Sequence, residues 1–260
     1  MPELPDVEGF RAVLAEHGAG RRVRRVVVAD AGVVHGVTAR QFDRRLRGRT
    51  FAEPRRHGKW LIARTDGPTV LIHFGMTGSL RWASPAEPPG RHDRVTFLID
   101  GGELRYRDMR KLQGITLACD AAQEGRILGR LGPDALEVTR AGLGRLLGSR
   151  RAAVKAVLIR QDVIAGLGNL LADEILWRSR ILPRRSARSL SEAELDRLHS
   201  SMRQVLRESV RTRRVPPRRS WLTGARDEAR PECPRCLAPL RRDRVAGRTT
   251  VWCPQCQQCR

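Results

Sequence analysis

The sequence contains no run of about 18 or more apolar residues, which excludes a conventional membrane-spanning helix. It also lacks a basic-then-apolar leader: the first ten residues, MPELPDVEGF, carry acidic groups, so a cytoplasmic, nucleoid-associated location is expected. No internal repeat recurs at a fixed period, which sets aside repeat architectures. Acidic residues are scarce, 28 against 50 Lys and Arg, for a formal charge of +22. Self-repulsion at that level opposes a compact state, and a polyanionic partner relieves it. An arginine-rich codon bias could produce the same balance, but the basic residues cluster, as in RRVRR, RRLRGR and RTRRVPPRR. Cysteine is nearly absent before residue 233; five of the six crowd into the last 28 residues. Disulfides are not expected in a cytoplasmic protein, so that crowding needs another cause.

What is present is enough for a folded protein: 260 residues, 40 % of them hydrophobic. Pro5 suits a first helical turn, Asp6 and Glu8 favour its dipole, and Val7, Phe10 and Leu14 share one face, with Gly18 and Gly20 able to end the helix. Pro2 and Glu3 then form a short extended lead-in. RVRRVVV and TVLIHF read as strands, and VTFLID and ELRYR as a hairpin turning around Gly101-Gly102. The chain to about Cys119 is mostly β. From about Thr139 to Arg213 it is helical. Ser191 and Glu194 make a capping box, and Leu195, Leu198, Met202, Val205 and Leu206 line one face of the helix that follows. The stretch RRVPPRRSWLTGARDEARPE has little periodicity and reads as a loop.

Cys233-x2-Cys236 and Cys253-x2-Cys256 have the spacing of a four-thiolate zinc site. Cys256-x2-Cys259 is also a valid pair; Cys253 and Cys256 are preferred because they leave Cys259 at the chain end. So small a module has almost no apolar core, so one structural Zn²⁺ supplies most of its stability and does no chemistry. Gly247 suits a hairpin tip, from which Arg248 would project.

A Met-Pro start usually means only that methionine is removed. Here the exposed Pro2 would be a secondary amine ahead of a helix. An unperturbed α-amino group titrates at about 7.7–8.0. The positive end of that helix and nearby cations disfavour the ammonium and lower the value. Such an amine can attack a sugar C1′ and form an iminium ion, an electron sink for elimination. Glu3 stands beside it to handle protons.

The opening PELPDVE resembles that of the formamidopyrimidine-DNA glycosylase/endonuclease VIII family, where it is usually PELPEVE. RRHGKWL resembles the family's strand bearing a catalytic lysine, here Lys59. HFGMTGSL resembles its methionine loop, here Met76, and YRDMRKL its arginine-bearing intercalation loop. QDVIAGLGNLLADEILW resembles its helix–two-turn–helix element, with Asn169 in the phosphate-binding turn. GRTTVWCPQC resembles its zinc finger, with Arg248 at the DNA-contacting arginine. These motifs run in order from residue 2 to residue 256.

The resemblance implies an α+β protein: an N-terminal antiparallel β-sandwich with a leading helix (2–120), a linker (121–138), a helix–two-turn–helix domain (139–213), a loop (214–232) and a zinc-finger hairpin (233–260). DNA is expected to cross the cleft between the halves. Pro2 would be the nucleophile, Glu3 the general acid/base that helps open the sugar ring, and Lys59 a catalytic residue that binds the phosphate beside the lesion. Met76, Arg110 and Leu112 would fill the gap left by the flipped nucleotide. His92, Lys155, Gly168, Asn169 and Arg248 complete the expected DNA contacts, and the glycines would let backbone N–H groups approach a phosphate. Damaged duplex DNA is the partner, the chain acts as a monomer, and no organic cofactor is implied. The implied activity is removal of a damaged base followed by β,δ-elimination.

Three positions depart from the family pattern. Asp6 replaces a glutamate, and Leu112 stands where many purine-specific members carry phenylalanine. The stretch before the zinc finger is also too short for the segment that caps 8-oxoguanine in many members, so a base pocket open to several lesions is expected. Two other readings compete: a non-enzymatic damaged-DNA binder on the same scaffold, against which Pro2, Glu3 and Lys59 argue, and a zinc-ribbon RNA-binding protein, which leaves the N-terminal motif unexplained.

Overall fold

Two layers of β-strands account for most of the first half of the chain, in a computed structural model that describes residues 2–258. Cys259, the alternative metal ligand, lies outside the described residues. The chain divides into two compact units: Pro2 with Asp6–Arg130, and Glu3–Pro5 with the chain from Leu131 onward.

The elements of the first half are α1 (Leu4–His17), β1 (Val23–Val28), β2 (Val34–His35), α2 (Ala39–Leu46), β3 (Arg55–His57), β4 (Trp60–Ala63), β5 (Thr69–His73), β6 (Ser79–Ala83), β7 (Asp93–Ile99), β8 (Gly102–Arg107), β9 (Ile115–Ala118) and α3 (Ala121–Leu128). One sheet has the order β1-β7-β8-β6 and the other β2-β9-β5-β4-β3. Pairing is antiparallel except for β2 with β9, which run parallel. β7 alternates buried and half-buried residues along its whole length, the period-2 pattern of a strand with one face on a core. That core joins Val26, Val95, Phe97 and Leu104 of one sheet to Leu61, Val70, Ile72 and Ile115 of the other, with Leu14 of α1 and Phe42 of α2. Each such side chain, fully buried, contributes roughly 1.5–3 kcal/mol of transfer free energy.

The hairpin turn falls one residue earlier than the sequence reading placed it. Ile99 pairs with Gly102, so Asp100 and Gly101 make the turn, and Gly101 takes φ +93°. Gly102 is paired in the strand, and it is glycine there because an added Cβ would lie 2.3 Å from the Trp82 ring. The sequence reading also passed over α2, although Thr38 and Gln41 form a complete capping box there.

In the second unit the elements are α4 (Arg140–Gly148), α5 (Val154–Leu158), α6 (Asn169–Ser179), α7 (Glu192–Arg211), α8 (Leu222–Ala225), β10 (Arg241–Val245) and β11 (Arg248–Trp252). Ser191 caps α7 with Glu194 in the expected box, and the five expected apolar residues of α7 are buried. The stretch read as a loop contains α8, and Trp221, Leu222 and Arg226 are buried there. Tertiary packing overrides the weak local pattern: Trp221 and Leu222 sit in separate apolar clusters, and Arg178 stacks 4.2 Å over the Trp221 ring. β10 and β11 form a hairpin whose tip, Ala246-Gly247, has φ of 49° and 71°, the left-handed pair that a tight turn requires. Among the described residues, no helix is long and apolar enough to cross a membrane.

Candidate active site and nucleic-acid interface

In the first unit the expected site residues gather at one end of the sandwich. Lys59 follows Gly58 in the two-residue turn between β3 and β4. That turn is held from behind. The Arg56 guanidinium donates to the Gly58 carbonyl at 3.0 Å and to Glu8 of α1 at 3.0 Å. Glu8, the last residue of the PELPDVE motif, therefore anchors the strand that carries Lys59. Lys59 is near enough to His73 to act on its charge. Burial, then the Lys59 ammonium, pushes the imidazole down to about 4, so it is neutral at pH 7 and its Nδ1 accepts the Gly75 N–H at 3.1 Å.

Met76 is half-buried in the loop between β5 and β6. Arg110 and Leu112 are exposed in the loop between β8 and β9, and Leu112 is 53 % exposed. One buried carboxylate ties the two loops together. Asp108 accepts from the Thr77 hydroxyl at 2.6 Å, the Arg110 N–H at 3.1 Å and the Tyr106 hydroxyl at 3.3 Å. The Thr77 hydroxyl also accepts the Arg110 N–H at 3.0 Å. Burial first, and the Asp108 charge second, push the Tyr106 phenol well above its usual range and keep it a donor. His92 immediately precedes β7 at the same end, and its carbonyl accepts the Asp108 N–H. Asp108 and Thr77 were not singled out from sequence, although Asp108 precedes Arg110 by two residues in the same loop. Met109, 56 % exposed in that loop, was also passed over.

In the second unit Glu3 is 1 % exposed. Its carboxylate accepts the backbone N–H groups of Gly168 (2.9 Å), Leu170 (2.8 Å) and Leu171 (3.1 Å). These are the orphan donors at the start of α6, and the helix dipole adds its positive end to them. The approach requires glycine. A Cβ on Gly168 would lie 2.2 Å from the Glu3 carboxyl carbon, and Gly166 holds φ +112° against Leu4. This changes the expected role of Gly168: its N–H serves Glu3, and what it supplies is room for that carboxylate. Asn169 opens α6, with its Oδ1 buried and without a hydrogen bond among the described residues.

Lys155 was expected to contact DNA, and its position corrects that. It is fully buried and pairs with Asp173 of α6 at 2.6 Å. Its ammonium also donates to the Thr250 hydroxyl at 2.7 Å and to the Thr249 carbonyl at 3.1 Å. An ammonium with no exposed surface cannot reach a phosphate. It instead fastens α6 to β11, two residues from Arg248. Asp173 also takes Arg226 at 2.9 Å and the Val251 N–H at 3.2 Å. Glu3 is near enough to favour the charged form of Lys155. Glu174, the next residue, accepts from Arg178 and from the Thr223 N–H, which holds α8. Helix α6 thus meets Glu3 at its start and the hairpin and α8 at its middle. Arg248 itself is exposed at the hairpin tip.

The four sulfurs of Cys233, Cys236, Cys253 and Cys256 lie within 4.8 Å of one another and could hold a metal ion. The Trp177 indole of α6 donates to the Cys233 sulfur at 3.3 Å, so the cluster is seated on the same helix.

Residues 1–115 match the formamidopyrimidine-DNA glycosylase N-terminal domain, and residues 131–216 match the formamidopyrimidine-DNA glycosylase H2TH domain. The chain belongs to the formamidopyrimidine-DNA glycosylase family. It is 40 % identical to a formamidopyrimidine-DNA glycosylase of Symbiobacterium thermophilum, over 99 % of this chain and 89 % of that one. It is 36 % identical to that of Halorhodospira halophila over 99 % of this chain and all of the other. Its structure is similar to that of the Lactococcus lactis formamidopyrimidine-DNA glycosylase non-covalently bound to DNA containing an abasic site, with a TM-score of 0.87, 28 % identity and coverage of 99 % and 100 %. The mixed α+β architecture, with sheets first, an H2TH region after them and a four-cysteine cluster, is that of the family.

Proposed function

We propose that this protein removes damaged bases from duplex DNA and then cuts the strand at the resulting abasic site. The observation that carries this reading is Glu3. A carboxylate next to a proline at the chain start is held almost out of solvent by three amide donors of α6. A surface glutamate would not be fixed so firmly; one that moves protons at a single atom must be.

Removal of Met1 would free the Pro2 amine. Its lone pair attacks C1′ of the flipped nucleotide, the glycosidic C–N bond breaks, and the base leaves with that electron pair and a proton. Glu3 moves the proton that lets the sugar ring open at O4′. The C1′–O4′ bond breaks, the protonated ring oxygen stays on C4′ as a hydroxyl, and the Pro2 lone pair closes an iminium ion to C1′. The iminium acidifies C2′, and two successive eliminations expel the 3′ and then the 5′ phosphate. Water finally releases the amine. Lys59 binds the phosphate beside the lesion, and Met76, Arg110 and Leu112 fill the vacated stack. His92, Asn169 and Arg248 contact the backbone around them. No organic cofactor enters, and the chain works as a monomer in the cytoplasm, on nucleoid DNA.

The four cysteines suit one structural zinc. Tetrahedral thiolates at about 2.3 Å from Zn²⁺ stand about 3.8 Å apart. The observed sulfur separations are 3.5 Å for Cys236–Cys253 and Cys236–Cys256, and 3.8 Å for Cys233–Cys256. On this reading Cys259→Ser leaves the zinc content at one per chain. Loss of zinc in that variant would reassign a ligand.

The base pocket takes several lesions. The residues between Arg213 and Cys233 that could have formed a polar cap are partly spent on structure: Trp221, Leu222 and Arg226 are buried. Strong rejection of a wrong base needs buried polar groups left unpaired by it. Single-turnover excision of 8-oxoguanine, formamidopyrimidine and oxidised pyrimidines is expected to differ by less than a hundredfold. A greater preference for 8-oxoguanine would show a cap from elsewhere.

Borohydride trapping tests the main proposal. Abasic duplex should be captured covalently through Pro2, Pro2→Gly should lose most of the product, and a chain retaining Met1 nearly all. Normal cleavage by that longer chain would refute the nucleophile.

A further inference from the structure

Two of the basic clusters in the sequence, RRVRR and RRLRGR, find no place in that mechanism. They are 18 residues or more apart in the chain, yet backbone hydrogen bonds join them: Val23 N–H to the Arg49 carbonyl and Gly48 N–H to the Val23 carbonyl, both 2.7 Å, and Phe51 N–H to the Arg21 carbonyl, 3.1 Å. Arg21, Arg22, Arg24 and Arg25 therefore stand beside Arg44, Arg45, Arg47 and Arg49, and all eight are exposed. Asp100 pairs with Arg24 and Asp43 with Arg47. The other six make no salt bridge among the described residues. A groove of about 740 Å³ runs between Arg44, Arg45, Arg47 and Arg49.

The strand register places this patch far from the loops of Met76 and Arg110. Val23 pairs with Ile99, at the Asp100-Gly101 turn. The loops join the sheet at its other end, where Asp93 and Ser79 both pair with Arg107. The second sheet repeats the arrangement: the groove is lined by Gly67 and Pro68 before β5, whereas Lys59 and Met76 lie beyond His73 at its far end. Along the seven residues of β7 the two ends are roughly 20 Å apart, at about 3.3 Å per residue. Loops at opposite ends of a strand point in opposite directions, so a duplex seated on the Met76 and Arg110 loops does not occupy the arginines.

We infer that the arginine patch at the Asp100-Gly101 end of the sandwich is a second nucleic-acid surface, which binds the phosphate backbone of another duplex segment while the lesion loops hold the first. Guanidinium groups take phosphates in a planar, two-pronged geometry, and the eight here outnumber the carboxylates beside them, Asp100 by Arg22 and Arg24 and Asp43 by Arg25 and Arg47, so they repel one another until an anion arrives. A protein partner fits less well. Stable protein interfaces centre on buried apolar or aromatic anchors. The patch offers only Val27, 40 % exposed, whereas the other exposed large hydrophobics, Met109, Leu112 and Leu237, lie outside it. Holding two segments would let the enzyme pass from one duplex to another without returning to solution.

Stoichiometry tests this without any turnover. The full chain, saturated with a short duplex carrying a tetrahydrofuran abasic analogue, is titrated at low salt with a labelled undamaged duplex. Two duplexes per chain are expected. The combined Arg21→Ser, Arg22→Ser, Arg44→Ser and Arg45→Ser variant should weaken the second binding tenfold or more. It should also flatten that binding's log–log salt dependence by about 0.9 per lost phosphate contact. Binding of the abasic analogue and cleavage of an abasic duplex should stay within twofold of the parent, which also shows that the variant folds. A single duplex per chain at every salt concentration, or a variant with unchanged second-site affinity, would overturn the proposal. So would saturation of the patch by poly-glutamate in preference to duplex, which would assign it to an acidic protein instead.

Discussion

Glu3 and Asp173 are both buried carboxylates held by α6, and they are held in opposite ways. Glu3 meets the start of the helix and is bound by amide N–H groups of the backbone. Asp173 projects from the middle of the helix and is bound chiefly by two cationic side chains, Lys155 and Arg226. Backbone donors survive every substitution but proline and are fixed in direction, so they suit a group whose oxygen must stay in one place. Side-chain cations come from distant parts of the chain, so they suit a group that fastens elements together. The same helix thereby holds the carboxylate proposed to move protons at one end and a structural junction at its centre.

The largest effect should come from removing the zinc proposed at the four cysteines that flank the β10–β11 hairpin. Structural zinc contributes roughly 10–16 kcal/mol of apparent binding energy in small peptides. Chelation should unfold β10 and β11 and weaken DNA binding, while near-ultraviolet spectra of the β-sandwich persist. Metal analysis of the pure protein that finds no zinc would remove this expectation.

Glu3→Gln keeps the size of the side chain at the helix start and removes the group proposed to transfer the proton. Base excision should fall about 10²–10⁴-fold, the usual contribution of a positioned acid or base. Cleavage of a preformed abasic site should fall less, because the base has already gone. Excision within tenfold of the parent would mean that Glu3 only caps α6.

Asp173→Ala leaves Lys155 and Arg226 buried without their anion. Breaking a buried pair in this way costs about 3–5 kcal/mol. The denaturant midpoint of the second unit should drop accordingly. Replacing the anion and both cations, with Asp173→Met, Lys155→Met and Arg226→Met, should recover part of the loss, since apolar groups of similar size tolerate the site. No recovery would show that the junction depends on hydrogen bonds to Thr250 and Val251 rather than on charge.

The smallest effects should come from half-buried Asn169 and exposed Arg248, both proposed to contact the DNA backbone. Asn169→Ala and Arg248→Ala should each lower the salt slope of duplex binding by about 0.9 and weaken all sequences alike. A change in lesion preference with unchanged affinity would instead make either residue a reader of the base.

Local chemistry decided much of what could be read along the chain. Alternation marked β7, capping boxes marked α7 and could have marked α2, and the two Cys-x2-Cys pairs foretold the sulfur cluster, because each signal lies within a few residues of itself. Pro2 and Glu3 were legible as a pair for the same reason. What holds them was not. The Glu3 contacts join residues 165 to 168 positions apart, and no local spacing encodes a partner that far away. Lys155 reads in the sequence as a DNA contact, and only folding buries it against Asp173 and Thr250. Asp108 looked like an ordinary loop residue until Thr77 and Arg110 met on it. The sequence by itself determined which groups could do the chemistry and which segments would be helix, strand or metal knuckle, since those follow from residue type and short-range periodicity. Only the tertiary structure decided which charges would be buried and which would face solvent, because that depends on desolvation by segments brought together from opposite ends of the chain.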